Sequence, residues 1–172
     1  MSISAYLLSF LRKDWQRDLE GFCVRHSASW LIWEPGRWRP TKSFRTSDRA
    51  STVDLRGMNL EARPVGMDAF CFRLEGTQEL RLGRASDADI LVNDVTLSRT
   101  HVLLRAQGRE WEACVAPQCN QPTQLGDAAS EPGVWKALRS GMIIQGGEVR
   151  FTYYDFPGML QRIAYEAAKS AA

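Results

Sequence analysis

Residues 81–101, RLGRASDADILVNDVTLSRTH, constrain the chain more than any other stretch, because strand-like runs alternate there with loops whose polar residues can meet. LRLGR reads as the end of a strand: Gly83 lets the backbone turn tightly and Arg84 directs a guanidinium out of the loop. ILV at 90–92 is a short buried strand, NDVTLS is a run of turn-formers, and HVLLRA resumes a strand. Loops 83–89 and 93–100 then leave the ends of strands and are placed to converge on one surface carrying Arg84, Ser98 and Arg99. Two guanidiniums and a hydroxyl suit a dianionic ligand, since charge-assisted hydrogen bonds to phosphate oxygens are the strong ones. Each residue also has a plainer role open to it. Arg84 can pair with Asp87 or Asp89, Ser98 can be a turn or capping hydroxyl, and Arg99 can be an ordinary exposed loop arginine.

The order G-R, then S-R-T-H with its serine fourteen residues beyond the arginine, then a strand, resembles the forkhead-associated (FHA) domain. Downstream, REWEACV (109–115) matches the next strand. APQCNQPTQLGD (116–127) lies where the family carries a D-L-G-S-x-N-G-T-x-x-N-G loop, and ALRSGMIIQGGEVRFTYYD (137–155) matches the closing pair of strands. The resemblance covers roughly 67–156 and implies an all-β fold, an FHA-like sandwich of two mainly antiparallel sheets. It also implies that Arg84 and Ser98 hold the phosphate of a phosphothreonine, with Gly83 and His101 shaping and bracing the turn. Aligned without gaps, Asn120 falls on a phosphate-contacting position and Gln121 on the asparagine that grips the ligand backbone; a one-residue gap puts Asn120 on that asparagine instead. Pro122 replaces a glycine that favours positive φ, which proline cannot adopt, so the loop is expected to take a different path. Met142 replaces the usual aspartate of the closing turn.

The 172 residues are 44% hydrophobic and 24% charged, an ordinary globular composition. A net charge of +2 is too small to argue for nucleic acid or membrane as the main partner, and no stretch is long and apolar enough for a bilayer span. Most of the basic excess sits in PGRWRPTKSFRTSDR. The four cysteines form no C-x-x-C pair and no secretory pattern opens the chain, so reduced thiols in a cytoplasm are expected, with Cys71 and Cys114 as small core residues.

Residues 3–22 repeat apolar side chains at 3, 7, 11, 15, 19 and 22, which predicts one amphipathic helix with Ser2 or Ser4 as its N-cap and Gly21 near its end. Its apolar stripe packs either on the sandwich's own flank or against a partner protein. SWLIW followed by EPG and RWR predicts a hairpin, giving an N-terminal extension over 1–39. Trp30, Trp33 and Trp38 fill a small core or, as the weaker alternative, stack on nucleic acid bases. Residues 40–66 read as a Ser/Thr/Arg-rich linker or arm, 67–156 as the sandwich, and 157–172 as a C-terminal helix.

The functional expectation is a cytoplasmic adaptor that binds a phosphothreonine-containing protein, a Ser/Thr kinase or its substrate, through Arg84, Ser98, Arg99, Asn120 and Gln121. The alternative is a phospho-independent assembly subunit whose sandwich and N-terminal helix bind a partner protein. A catalytic set of His101, Cys119 and Asn120 lacks an orienting group, and no phosphate loop or metal-ligand cluster is visible, so neither catalysis nor a cofactor or metal is expected. Thr41, Thr46 and Thr52 raise a further expectation, that one of them, once phosphorylated, occupies the chain's own site.

Overall fold

A computed structural model describes residues 3–38 and 68–171. In chain order the elements are β1 (Ala5–Leu7), α1 (Leu8–Arg17), α2 (Leu19–Arg25), β2 (Ser29–Trp33), β3 (Phe70–Leu74), β4 (Leu80–Gly83), β5 (Ile90–Leu91) and β6 (Val102–Gln107). They continue with β7 (Glu110–Val115), β8 (Thr123–Leu125), β9 (Ala128–Ala129), β10 (Trp135–Ala137), β11 (Ile143–Gly146), β12 (Val149–Tyr154) and α3 (Phe156–Ala171). Seven strands form one sheet in the order β1-β3-β2-β12-β11-β8-β9, and five form the other in the order β10-β7-β6-β4-β5. Every pairing of named strands is antiparallel except β4 with β5.

Two apolar clusters hold the layers together. Between the sheets lie Leu31, Trp33, Phe72, Leu82, Ile90, Val102, Leu104, Ile144 and Phe151. On the outer face of the seven-stranded sheet, Trp30, Ile32 and Cys71 meet Leu8, Leu11 and Phe22 from α1 and α2 and Met159 and Ile163 from α3. The strand β2 shows why both exist. Side chains alternate across a strand, so Leu31 and Trp33 enter the first cluster while Trp30 and Ile32 enter the second. SWLIW is therefore an apolar run because both of its faces are covered.

This placement corrects three expectations. SWLIW does not form a hairpin with RWR: β2 pairs with β3 on one side and β12 on the other. The sandwich consequently does not begin at residue 67, since 5–7 and 29–33 are strands of its larger sheet. Trp38 instead lies beside the start of β12, with its backbone N–H on the Glu148 carbonyl at 2.9 Å and the Arg150 guanidinium 3.8 Å over its ring. Nor is 3–22 one helix. Residues 5–7 pair with β3 as an edge strand, α1 starts at Leu8, and Asp18, at φ −155° and ψ 86°, separates α1 from α2.

The expected caps differ as well. Leu7 occupies the N-cap of α1 and has no side-chain cap bond. Gly21 lies inside α2, where its N–H donates to the Asp18 carboxylate at 2.9 Å, so Asp18 is the capping residue. The linker expected at 40–66, with Thr41, Thr46 and Thr52, lies outside the described residues.

Candidate functional site

Strand β4 ends at Gly83, and the loop that follows is laid directly against the 97–100 turn. The Arg84 N–H donates to the Ser98 carbonyl at 3.2 Å, the Ala85 N–H to Arg99 at 3.0 Å, and the His101 N–H to Leu82 at 2.8 Å. Glycine is required at 83 by this approach: a Cβ there would sit 2.1 Å from the Arg99 carbonyl oxygen. The Arg84 side chain continues the contact, its Nε donating to the Leu97 carbonyl at 2.8 Å. The guanidinium thus lies along the 97–98 peptide, and its two terminal nitrogens make no hydrogen bond to the described residues.

The acidic neighbours are engaged elsewhere. Arg81 Nη1 holds Asp87 Oδ2 at 2.9 Å, and Asp89 Oδ2 accepts the Arg81 backbone N–H at 2.8 Å. Asp94, buried in the 93–97 turn, accepts the Thr96 N–H at 2.8 Å and its hydroxyl at 2.5 Å. Arg84 and Arg99 are both exposed, and neither forms an ion pair with the described residues. The pairing of Arg84 with Asp87 or Asp89 is therefore not what forms; Arg81 takes both acids.

His101 braces the turn from beneath. Fully buried, it accepts the Ser98 N–H at Nδ1, 3.0 Å away, and faces Thr123 Oγ1 with Nε2 at 2.8 Å. The Ser98 N–H can only donate, so Nδ1 is the acceptor and Nε2 carries the proton. Thr123 Oγ1 then receives from Nε2 and gives its own hydrogen to the Gln121 carbonyl at 3.1 Å. Burial pushes the His101 pKa down to about 4, which keeps this one-directional chain intact at neutral pH. Gly146 of β11 makes room for the ring, since a Cβ there would lie 2.3 Å from Nε2.

The relay ties the 116–122 loop to the Ser98 turn, and two further bonds reinforce it. The Ala116 N–H donates to the His101 carbonyl at 2.9 Å, and Cys119 Sγ lies 3.3 Å from Ser98 Oγ. Asn120 and Gln121 are exposed on this anchored loop. The structure therefore brings Arg84, Ser98, Arg99 and the 120–121 segment to one end of the five-stranded sheet, with Gly83 and His101 fixing the geometry. Both ring nitrogens of His101 are committed, neither of them to Cys119.

Sequence reasoning missed Thr123, Gly146 and the contact of Cys119 with Ser98. Only the position of Thr123, at the threonine of the N-G-T pattern, offered a signal for any of them. Two open grooves, of about 720 and 710 Å³, lie beside α3 and away from these loops. Among the described residues no helix is long and apolar enough to cross a membrane.

No family model matches the sequence, and no curated protein matches it. Among solved structures, the chain is similar to the solution structure of the FHA domain of an Arabidopsis thaliana hypothetical protein. They share 17% identity at a TM-score of 0.50, over 75% of this chain and 86% of that one. It is likewise similar to full-length Pml1p from yeast, with 13% identity and a TM-score of 0.51 over 82% of this chain and 91% of that one. At these identities the likeness establishes the fold, a β-sandwich of the FHA type flanked by helices at both ends.

Proposed function

We propose that this FHA-type sandwich binds a phosphothreonine segment of a partner protein at the surface formed by Arg84, Ser98, Arg99 and the 120–121 loop, as an adaptor without catalysis of its own. The observation that carries the reading is the state of Arg84. Its Nε is spent on orienting the group, its terminal nitrogens have no partner among the described residues, and the nearby carboxylates are already engaged. Arginine at the surface is ordinary. An arginine pre-aimed by the backbone of the very turn that presents a serine hydroxyl is a preorganised anion site.

A phosphothreonine carries about −1.5 to −2 charge at neutral pH and three acceptor oxygens. Arg84 supplies a fork of donors, Ser98 a hydroxyl, and Arg99 a further cation at the rim. Asn120 or Gln121 hydrogen-bonds the ligand's main chain and sets its direction. Each charge-assisted bond contributes roughly 1.5–3 kcal/mol net, against about 4–15 kcal/mol lost on association. Binding in the micromolar range follows, as suits a reversible contact.

The test is calorimetric titration of degenerate phosphothreonine and unphosphorylated peptide pools against the wild type and Arg84→Ala. Selective binding of the phosphorylated pool, weakened roughly 30- to 150-fold in the variant by loss of about 2–3 kcal/mol, supports the proposal. Equal binding of both pools removes it. The alternative, a phospho-independent assembly subunit using the sandwich and the N-terminal helix, loses the Leu8 and Leu11 face of α1 to the chain's own core, with Phe10, Leu19 and Val24 left exposed.

A further inference from the structure

Ser98 has a protein partner as well as a proposed ligand, and the partner is a thiol. Cys119 Sγ sits 3.3 Å from Ser98 Oγ and 3.7 Å from the Gln121 carbonyl oxygen. Cys119 is 5% exposed and belongs to the apolar core between the sheets. Its place is fixed by the backbone: the Cys119 N–H donates to the Ala116 carbonyl at 2.8 Å, and the Ala116 N–H donates to His101. A thiol has one hydrogen to give, and here it has two acceptors within reach.

We infer that Cys119 is a positioning residue for the phosphate site, a hydrogen-bond rotor that directs the Ser98 hydroxyl onto the ligand; the inference rests on the phosphate reading above. Without ligand, the thiol hydrogen points to Gln121 and the Ser98 hydroxyl donates to sulfur. When a phosphate oxygen arrives, it takes the Ser98 hydrogen, because a charge-assisted bond outcompetes one to sulfur. Ser98 Oγ then has free lone pairs, and the S–H turns from Gln121 to fill one. The carbonyl it leaves keeps the Thr123 hydroxyl at 3.1 Å, so no buried polar group is orphaned in either state. Sulfur suits this place because it is a weak donor that costs little to bury and gives way readily. In the bound state the thiol polarises the hydroxyl it serves, which strengthens the bond to phosphate.

The account predicts coupling, which a merely space-filling cysteine does not produce. Affinities for one phosphothreonine peptide and its unphosphorylated form are measured for wild type, C119V, C119S, S98A and the double variant S98A/C119V, with folding checked by thermal unfolding. Valine fills the space without a donor, and serine keeps one. C119V is expected to weaken phosphopeptide binding about three- to tenfold, the scale of one neutral hydrogen bond. C119S should stay within about threefold of wild type, and in the S98A background Cys119→Val should cost nothing further. If C119V does not fold, Cys119→Ala takes its place in the same cycle. Unchanged binding by C119V, or an equal loss with and without Ser98, overturns the inference while leaving the phosphate reading standing. A wild type indifferent to the phosphate overturns that reading, and this inference with it.

Discussion

Arg84 and His101 show how single residues divide the work at this site. Arg84 uses one nitrogen to fix its own direction and leaves two without a hydrogen bond among the described residues, open to the proposed ligand, a division lysine cannot make with a single ammonium. Arg84→Lys is therefore expected to behave nearly as Arg84→Ala in phosphopeptide titrations, and retention of most affinity would show that only charge matters. His101 makes no contact with the ligand in this account; it holds the two loops in register. Its folded pKa, lowered by burial to about 4, lies below the ordinary 6.5. The folded state therefore binds fewer protons than the unfolded chain between those values. The stability His101 contributes is fully present above pH 6.5, is lost progressively as pH falls toward 4, and changes no further below both values. His26, also buried and lowered by desolvation, adds to the same trend. Denaturant titrations should show stability falling by roughly 3 kcal/mol or somewhat more across this window, and a flat profile there would contradict the buried neutral His101. At this scale the sequence was legible where chemistry was local. Gly83, Arg84, Ser98 and His101 could be placed from spacing and resemblance. The partnership of Cys119 with Ser98 could not, because it spans 21 residues and depends on how two loops settle together.

Among the elements, the N-terminal helices changed most between expectation and structure. The apolar residues at 3, 7, 11, 15, 19 and 22 describe one helical stripe only if the helix is continuous. Asp18 interrupts it, and capping by its side chain starts a second helix with a different facing. Leu11 and Phe22 are fully buried while Leu7 and Leu19 are about half exposed, so the stripe is not a single face. The inner face of α1 and α2 closes the sandwich's outer flank, while Phe10, Leu19 and Val24 stay exposed on the outside. Leu11→Ala should accordingly cost about 2–5 kcal/mol, measured by chemical denaturation, as for other fully buried leucines. A loss below about 1 kcal/mol would mean that α1 is peripheral to the fold. The sandwich strands were easier to read. FCFRL and VRFTYY carry strand-like aromatic and β-branched residues, and glycine-rich turns such as QGGE mark where they end. Strands β4 to β7 and the closing pair β11 and β12 therefore appear about where the pattern put them, while the edge strand β10 was not foreseen.

Viewed as a whole molecule, the chain is one sandwich whose larger sheet recruits strands from before the 39–67 segment. A local reading pairs SWLIW with its sequence neighbour RWR, since consecutive elements are usually adjacent. The structure instead inserts β2 between β3 and β12, strands about forty and one hundred and twenty residues away. Nothing within SWLIW itself specifies those partners; only its lack of a polar face hints at a central strand. A chain beginning at residue 67 would thus lose the middle of its larger sheet and both N-terminal helices. It should not unfold cooperatively on heating, whereas the full chain should; a cooperative transition in the fragment would restore the boundary first read from the sequence.

The most direct test of the central claim, that Arg84, Ser98 and the 119–121 loop form one phosphate-binding surface, is amide chemical-shift mapping during titration with a phosphothreonine peptide. The account predicts shifts concentrated at 83–85, 97–101 and 119–123, absent with the unphosphorylated peptide. Shifts centred on the helical flank around α1 and α3, or identical shifts with both peptides, would contradict it.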